Sequence, residues 1–224
     1  MVIYKTATWQ PLRERCRVGY HGSMSLTAIE RAKRIKVILF DVDGVLTNGQ
    51  IWVFPAPAGP GNEKPAAVEA KGFCAHDGTS ISMARLGGMK TGVITKRISD
   101  TVAIRARDLR LEFVYQGQAH KMNAINEILA KEKITLDEIA YVGDDIIDLP
   151  VMRVCGLAIA VLNARELVKQ TAHYVTPHAG GDGAGRDAVE FILEAKGLLE
   201  KVTEEYIDES SAAAAAADIG QGGM

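Results

Sequence analysis

The stretch Ile35 to Gly49, IKVILFDVDGVLTNG, constrains the fold of this chain more than any other. Val37, Ile38, Leu39 and Phe40 follow one another with no polar residue between them, the pattern of a parallel strand covered on both faces. Asp41 and Asp43 fall at and just beyond its carboxyl end, where open α/β sheets hold their ligands. Such a strand needs helices on both sides of its sheet. A length of 224 residues with 47% hydrophobic side chains is enough for one full-sized α/β domain, with some chain left for tails.

The rest of the sequence alternates accordingly. Leu26, Ile29 and Ala32 recur at helical spacing ahead of the first strand. Gln50 to Phe54 (QIWVF) reads as a strand, the Pro- and Gly-rich FPAPAGPGNEKP as a loop and Ala67 to Lys71 as a returning strand. Residues 49–71 therefore form a long-looped projecting hairpin. Thr79 to Leu86 suits a helix, Thr91 to Thr95 a buried strand, and Ser99 caps a helix running through Leu109. Phe113 to Tyr115 is a short strand and Met122 to Lys131 an amphipathic helix. Thr135 and Glu138 have capping-box spacing ahead of a strand at Ile139 to Val142. Leu157 to Val161 is a further strand, Asn163 with Glu166 marks a helix start, and Tyr174 to Val175 is the last edge strand. Strand and helix alternating through short connections predict an α/β fold with a doubly wound, mostly parallel sheet and right-handed crossovers.

Residues 1–23 show no sustained period and are expected to be a disordered arm, or sequence upstream of a start at Met24. The domain is expected over 24–200. Residues 201–224, with the low-complexity Ala212 to Ala217 and a GQGGM end, read as a flexible tail.

A formal net charge of −2 gives no global basic field for nucleic acid or an anionic membrane, so an anionic ligand would have to meet local positive charge. The longest apolar runs are strand-length, short of the roughly 18 to 20 residues of a membrane span, and the N-terminus has no apolar signal core. Cys16, Cys74 and Cys155 are odd in number and lack paired metal-ligand spacing, which favours free thiols in a reducing compartment. A cytoplasmic protein is expected.

Four features fall at strand ends: Asp41-Val42-Asp43-Gly44-Val45-Leu46-Thr47, then Thr95, then Lys121, then Gly143-Asp144-Asp145-Ile146-Ile147-Asp148. Lone aspartates are usually solvated turn or cap residues. Gathered in one crevice, each pair of like charges about 4 Å apart costs on the order of 4 kcal/mol at an effective dielectric near 20. A bound cation offsets that cost, and an all-oxygen ligand set favours Mg²⁺. Mg²⁺, a hydroxyl and a lysine complement a phosphoryl group in transfer. Asp41 then serves as a carboxylate nucleophile, and Asp43 gives a proton to the leaving alkoxide and later takes one from water. Thr95 and Lys121 hold phosphoryl oxygens, and Asp144 completes the metal shell with Asp145 and Asp148 orienting it.

Gly180 to Gly185 (GGDGAG) lacks the first-strand context of a dinucleotide fingerprint. It is either an ordinary loop or a donor-rich loop at a helix N-terminus facing an anionic group. His173 and His178 would need further ligands to hold zinc, and the sequence offers none nearby.

In order and type, DVDGVLT, the strand-end Thr95, Lys121 and GDDIID resemble the four motifs of the haloacid dehalogenase superfamily of phosphotransferases. Gly49-Gln50-Ile51, Lys71-Gly72-Phe73, Asp77-Gly78, Tyr115-Gln116-Gly117-Gln118, Tyr141-Val142-Gly143-Asp144-Asp145, and Gly180-Gly181 through Gly183-Ala184 with Arg186 extend the likeness over roughly Ile35 to Leu199. They resemble the capless branch that contains 3-deoxy-D-manno-octulosonate 8-phosphate phosphatase. The resemblance implies a Mg²⁺-dependent phosphatase of lipopolysaccharide biosynthesis that hydrolyses a sugar-acid phosphate through an aspartyl-phosphate. It places the metal on Asp41, the backbone carbonyl of Asp43, and Asp144. Substrate contacts fall on Cys74 to Gly78, including His76, Asp77 and Gly78, and on Arg97, Arg105 and Lys121. It also implies a homotetramer with the hairpins joined at the centre and a neighbouring subunit covering each site in place of a cap.

Three positions depart from the family pattern. Thr-Gly-Arg is Thr95-Lys96-Arg97 here, an arginine before Asp-Gly is His76, and another in the following helix is Ser82. Losing two guanidinium forks weakens bidentate recognition of a substrate carboxylate. Arg97 and Arg105 read equally well as surface residues. The hairpin loop is longer and richer in proline than the branch pattern. A nine-carbon ulosonate 9-phosphate as substrate, and a catalytically silent assembly module, are the alternatives.

Overall fold

The computed structural model describes residues 26–56 and 66–217. The expectations for the N-terminal arm, the tip of the hairpin loop and the GQGGM end lie outside the described residues.

In chain order the strands are β1 (Val37–Phe40), β2 (Trp52–Ala56), β3 (Ala66–Ala70), β4 (Lys90–Ile94), β5 (Phe113–Tyr115), β6 (Ile139–Gly143), β7 (Leu157–Ala160) and β8 (Tyr174–Val175). Six of them make one sheet in the order β5-β4-β1-β6-β7-β8, and every neighbouring pair is parallel. β1 lies between β4 and β6, with Phe40 opposite both Val93 and Val142. That register aligns the carboxyl ends of the three strands. From β1 the chain winds out through β4 and β5, then returns to the other side of β1 for β6 to β8. The edge between β1 and β6 is thus the topological switch point. All four residues of β1 are at most 1% exposed, as the unbroken apolar run requires.

The helices are α1 (Ala28–Ala32), α2 (Ala75–Leu86), α3 (Asp100–Asp108), α4 (Lys121–Glu132), α5 (Leu149–Met152), α6 (Glu166–Thr171), α7 (Ala184–Ala195), α8 (Leu199–Ile207) and α9 (Ala212–Ala217). Thr27 and Glu30 close a capping box on α1, and Ser99 caps α3 as expected. Among the described residues no helix is long and apolar enough to cross a membrane, and no segment forms a cap domain over the sheet edge.

Several local expectations change. α2 begins at Ala75, a turn before Thr79, with Cys74 at its N-cap. The Thr135–Glu138 box forms but closes only a single 3-10 turn before β6. Asn163 does not cap α6. Arg165 occupies that position, and the Asn163 side chain accepts from Gly180 N–H at 2.9 Å. Residues 201–217, read as tail, are largely helical. Leu199, Val202 and Tyr206 fall on one stripe of α8 and pack against the core, so the helix has an apolar face to bury.

Arg85 of α2 fastens this C-terminal part. Its guanidinium donates to the carbonyls of Leu109 (3.1 Å), Arg110 (2.8 Å) and Ala217 (2.9 Å) and pairs with Glu112 at 3.3 Å. The hairpin β2–β3 is a separate antiparallel ribbon, with Phe54 opposite Val68. Trp52, Val53, Phe54 and Val68 are each at least half exposed, a large apolar surface for a two-stranded ribbon. Replacing Arg85 by alanine should lower stability by roughly 1 to 3 kcal/mol, since it strands the part-buried carbonyls of Leu109 and Ala217. Urea unfolding measures this, and a loss below about 0.5 kcal/mol would show that Arg85 does not hold α9 in place.

Candidate active site

The loop leaving β1 is built for close approach. Asp41 continues the extended backbone, and Val42–Leu46 makes one wide helical turn interrupted by non-helical Asp43 and Gly44. Gly44 has φ +94°, and a Cβ there would lie 2.2 Å from Asp144 Oδ2. Only glycine satisfies both the backbone and the contact. Gly180 presses on the same loop from the other side: a Cβ there would sit 1.7 Å from Gly44 O, and Gly181 N–H donates to Val45 O at 2.9 Å. The GGDGAG segment is therefore a backbone buttress for the Asp41 loop.

Asp41 is 3% exposed, and its Oδ1 accepts from Val42 N–H at 2.7 Å and from Lys121 Nζ at 3.0 Å. Lys121 opens α4 at the sheet edge, equally buried, and also donates to Asp148 Oδ1 at 2.7 Å and Tyr141 Oη at 2.9 Å. Asp148 has no exposed surface. Tyr141 O–H donates to its Oδ1 at 2.8 Å, while its Oδ2 accepts from the N–H groups of Asp144 (3.0 Å) and Asp145 (3.3 Å). The Asp145 side chain is exposed and caps Ile146 N–H at 2.7 Å.

One carboxylate oxygen each from Asp41, Asp144 and Asp148 lie within 4.8 Å of one another. Burial pushes Asp41 up to about 6, with the Lys121 ammonium opposing and the Asp148 charge adding to the shift. Burial likewise pushes Asp144 to about 7, helped by the charges of Asp148, Asp41 and Asp145. Asp144 Oδ1 is buried with no donor among the described residues. Hard oxygen donors, excess negative charge and an orphaned carboxylate oxygen fit a divalent cation such as Mg²⁺. Asp148 already accepts four hydrogen bonds, so Asp41 and Asp144 are the carboxylates with capacity to hold it.

Asp43 belongs to a second cluster. Its carboxylate pairs with Lys71 Nζ, and Arg97 Nε lies 3.7 Å from Oδ2. Glu69 bridges the pair, 3.7 Å from Lys71 and 2.5 Å from Arg97 Nη2, and accepts from Ser99 Oγ. The Lys71 side chain is wholly buried. Sequence reasoning missed Glu69 and gave Lys71 no role, although two ionisable residues at the end of the otherwise apolar AAVEAKGF were a visible signal. Thr95 is 2% exposed just past β4, its backbone held by Tyr115 O at 2.9 Å and Gln118 N–H at 3.0 Å.

The residues assigned to substrate are more scattered. His76 is exposed on the first turn of α2, and Gly78 is buried in it. Asp77 is buried, and its Oδ1 accepts from Arg186 N–H at 2.9 Å at the start of α7. Burial raises it to about 6 against those backbone donors. The anion at the α7 N-terminus is therefore this chain's own Asp77. Arg105 lies over the Phe73 ring, 5.8 Å from its centroid, and shares a small cavity with Leu46, Cys74 and Asp77. Ser82 is wholly buried and Lys96 exposed. His173 Nδ1 accepts from Ala158 N–H at 2.9 Å, and His178 Nδ1 lies 3.0 Å from both Asp187 oxygens, so each histidine has a structural partner.

Known proteins resemble this chain in sequence and fold. Residues 93–186 match the haloacid dehalogenase-like hydrolase family model. The 3-deoxy-D-manno-octulosonate 8-phosphate phosphatase of Escherichia coli strain K12 is 37% identical over 187 residues, which is 84% of this chain and 94% of the relative. The crystal structure of the enzyme of that name from Yersinia pestis superposes with a TM-score of 0.69 at 38% identity, covering 77% of this chain and 88% of its own. The Moraxella catarrhalis enzyme, solved with magnesium, phosphate and KDO, gives a TM-score of 0.71 at 32% identity, covering 80% and 97%. With a relative this similar along nearly its whole length, the chain belongs to the haloacid dehalogenase-like hydrolases and, among them, to the family of the 3-deoxy-D-manno-octulosonate 8-phosphate phosphatases.

Proposed function

We propose that the protein is a Mg²⁺-dependent phosphatase that hydrolyses a sugar-acid phosphate, 3-deoxy-D-manno-octulosonate 8-phosphate, through an aspartyl-phosphate on Asp41. The observation that carries this reading is the buried Asp41 carboxylate beside Lys121 and the orphaned Asp144, at the switch point of the sheet. Val42 N–H and Lys121 tie down one oxygen of Asp41, and its other oxygen attacks phosphorus. Asp43, anchored by Lys71 and Arg97, gives its proton to the departing sugar alkoxide. It then takes a proton from the water that cleaves the aspartyl-phosphate, which frees phosphate and restores Asp41. The Lys121 ammonium and Thr95 hydroxyl hold the phosphoryl oxygens. Asp41, Asp144 and the backbone carbonyl of Asp43 would hold Mg²⁺, which would supply further positive charge to those oxygens.

The substrate follows from the relatives, and Arg97 and Arg105 are the cations left to meet its carboxylate. A panel of sugar-acid phosphates assayed for phosphate release should show 3-deoxy-D-manno-octulosonate 8-phosphate at least tenfold ahead in kcat/KM, about 1.4 kcal/mol, with Asp41→Asn folded and inactive. A lead for the nine-carbon ulosonate 9-phosphate would shift the assignment toward the altered positions His76 and Ser82. No Mg²⁺-stimulated hydrolysis of any ester would favour a silent assembly module.

The metal reading has a pH signature. Folded Asp41 and Asp144 titrate at about 6 and about 7 against 3.8 in an unfolded chain. Between about pH 4 and 7 the cation-free native state therefore holds protons that the unfolded chain has lost, and its stability falls as pH rises through that window. Mg²⁺ competes with those protons. The Mg²⁺-induced rise in Tm should be larger at pH 8 than at pH 5, and equal increments would overturn the assignment of the ion to Asp41 and Asp144.

We further place the enzyme in the cytoplasm as a homotetramer. The free thiols of Cys74 and Cys155 support the first. The exposed Trp52, Val53, Phe54 and Val68 of the hairpin support the second, as a surface that self-association would bury. Light scattering should return four times the chain mass, and a monomer would remove the idea.

A further inference from the structure

Tyr141 is the bulkiest of the fully buried side chains and sits in β6 between Ala140 and Val142. Phenylalanine would fill the same volume without a hydroxyl to satisfy, so the hydroxyl needs a reason. It donates to Asp148 Oδ1 at 2.8 Å and accepts from Lys121 Nζ at 2.9 Å. Lys121 also donates to that same Asp148 oxygen at 2.7 Å, which closes a triangle of three hydrogen bonds.

The geometry sets the direction of the ammonium group. A lysine has three N–H donors, and here they meet Tyr141, Asp148 and, at 3.0 Å, Asp41. Two of these acceptors lie on the rigid strand β6 and the turn that follows it. The third is the proposed nucleophile. Because Tyr141 spends its proton on Asp148, only its lone pairs face Lys121, and the ammonium is pinned on two sides. Without the hydroxyl, one N–H is released to swing between the Asp148 and Asp41 carboxylates and tighten on them.

We infer that Tyr141 is a positioning residue for Lys121. It holds the ammonium so that the N–H now on Asp41 is the one transferred to a phosphoryl oxygen when substrate is in place. This rests on the reading of Lys121 as the phosphoryl-binding lysine. Neither the metal nor the leaving group is involved, and the role is separate from the part Asp148 plays in holding the Asp144 loop.

Tyr141→Phe removes only the hydroxyl. The Mg²⁺-loaded variant should lose about tenfold in kcat, with KM within about twofold, and should bind orthovanadate about tenfold more weakly. A loss confined to the charge-separated state is one that a packing role would not give. In a Lys121→Met background the same change should cause no further loss of vanadate affinity, because the hydroxyl acts through the ammonium. Parent-like kcat and vanadate affinity in Tyr141→Phe, or an equal loss in both backgrounds, would overturn the inference. Should the phenylalanine variant fold poorly, site-specific fluorotyrosines at 141 keep the hydroxyl but weaken it as an acceptor. A graded fall in kcat supports the role, and a flat series opposes it. If Lys121→Met itself keeps the parent kcat, the phosphoryl-binding reading fails too. If that variant is inactive while Tyr141→Phe is unchanged, only the positioning role fails.

Discussion

Three carboxylates and one ammonium share the carboxyl edge of the central strand, and that imbalance governs the rest of the structure. Asp41, Asp144 and Asp148 converge within a few ångströms in a nearly dry setting, with Lys121 as the only cation among the described residues in direct contact with Asp41 and Asp148. Burial disfavours the Asp41 and Asp144 charges, so these two carboxylates tend to take up protons. The protein resists collapse of this arrangement with rigid backbone. Asp148 is saturated by four donors, Gly44 clears a path for Asp144, and Gly180 blocks the Asp41 loop from moving outward. What the fold leaves open is a negative, oxygen-lined position next to Asp41, which a divalent cation would fit.

The two aspartates of the first motif are separated into different electrostatic settings although they are two residues apart. Asp41 faces Lys121 inside the sheet edge, whereas Asp43 turns to Lys71 and Arg97 at the root of the hairpin. The wide turn between them, with its positive-φ glycine, is what points the side chains apart. The division of labour proposed for Asp41 as nucleophile and Asp43 as proton carrier thus has a backbone origin. Because Glu69 lies on β3 and Lys71 just after it, the hairpin that presents the apolar surface also anchors the Asp43 side chain. Whatever packs on the hairpin therefore bears on the chemistry through two residues.

Much of this was legible in the sequence where local and long-range signals agree. The run Val37 to Phe40 announces a doubly covered strand, and the acids after it announce the site, because strand order in such folds leaves few places for them. Ser99 shows in sequence as a cap because capping depends on near neighbours. Signals failed where the partner is distant. Asn163 looked like a cap but is claimed by Gly180, and the contact of Asp77 with the start of α7 had no sequence signal. Lys71 pairs with a residue 28 positions away, which no periodicity reveals. The stripe Leu199, Val202, Tyr206 was visible, yet the neighbouring charged and alanine-rich composition hid it.

The same contrast explains why chemistry is fixed more firmly than substrate choice in this chain. Asp41, Lys121 and Asp148, the groups to which the proposed chemistry falls, are each held by several protein groups, so their geometry is overdetermined before any ligand arrives. Arg97 is about half exposed and shared between Glu69 and Asp43, and His76 stands in solvent at the start of α2. Neither is preorganised, so binding a sugar acid must recruit them from other partners or from water. Ser82, by contrast, is sealed inside α2, where the family pattern has an arginine. A guanidinium at that point would have to leave the interior or find an anion within it, so the change to serine alters packing as well as charge. On the proposed reading, recognition of the substrate acid falls to Arg97, in the loop after β4, and Arg105 of α3 rather than to α2.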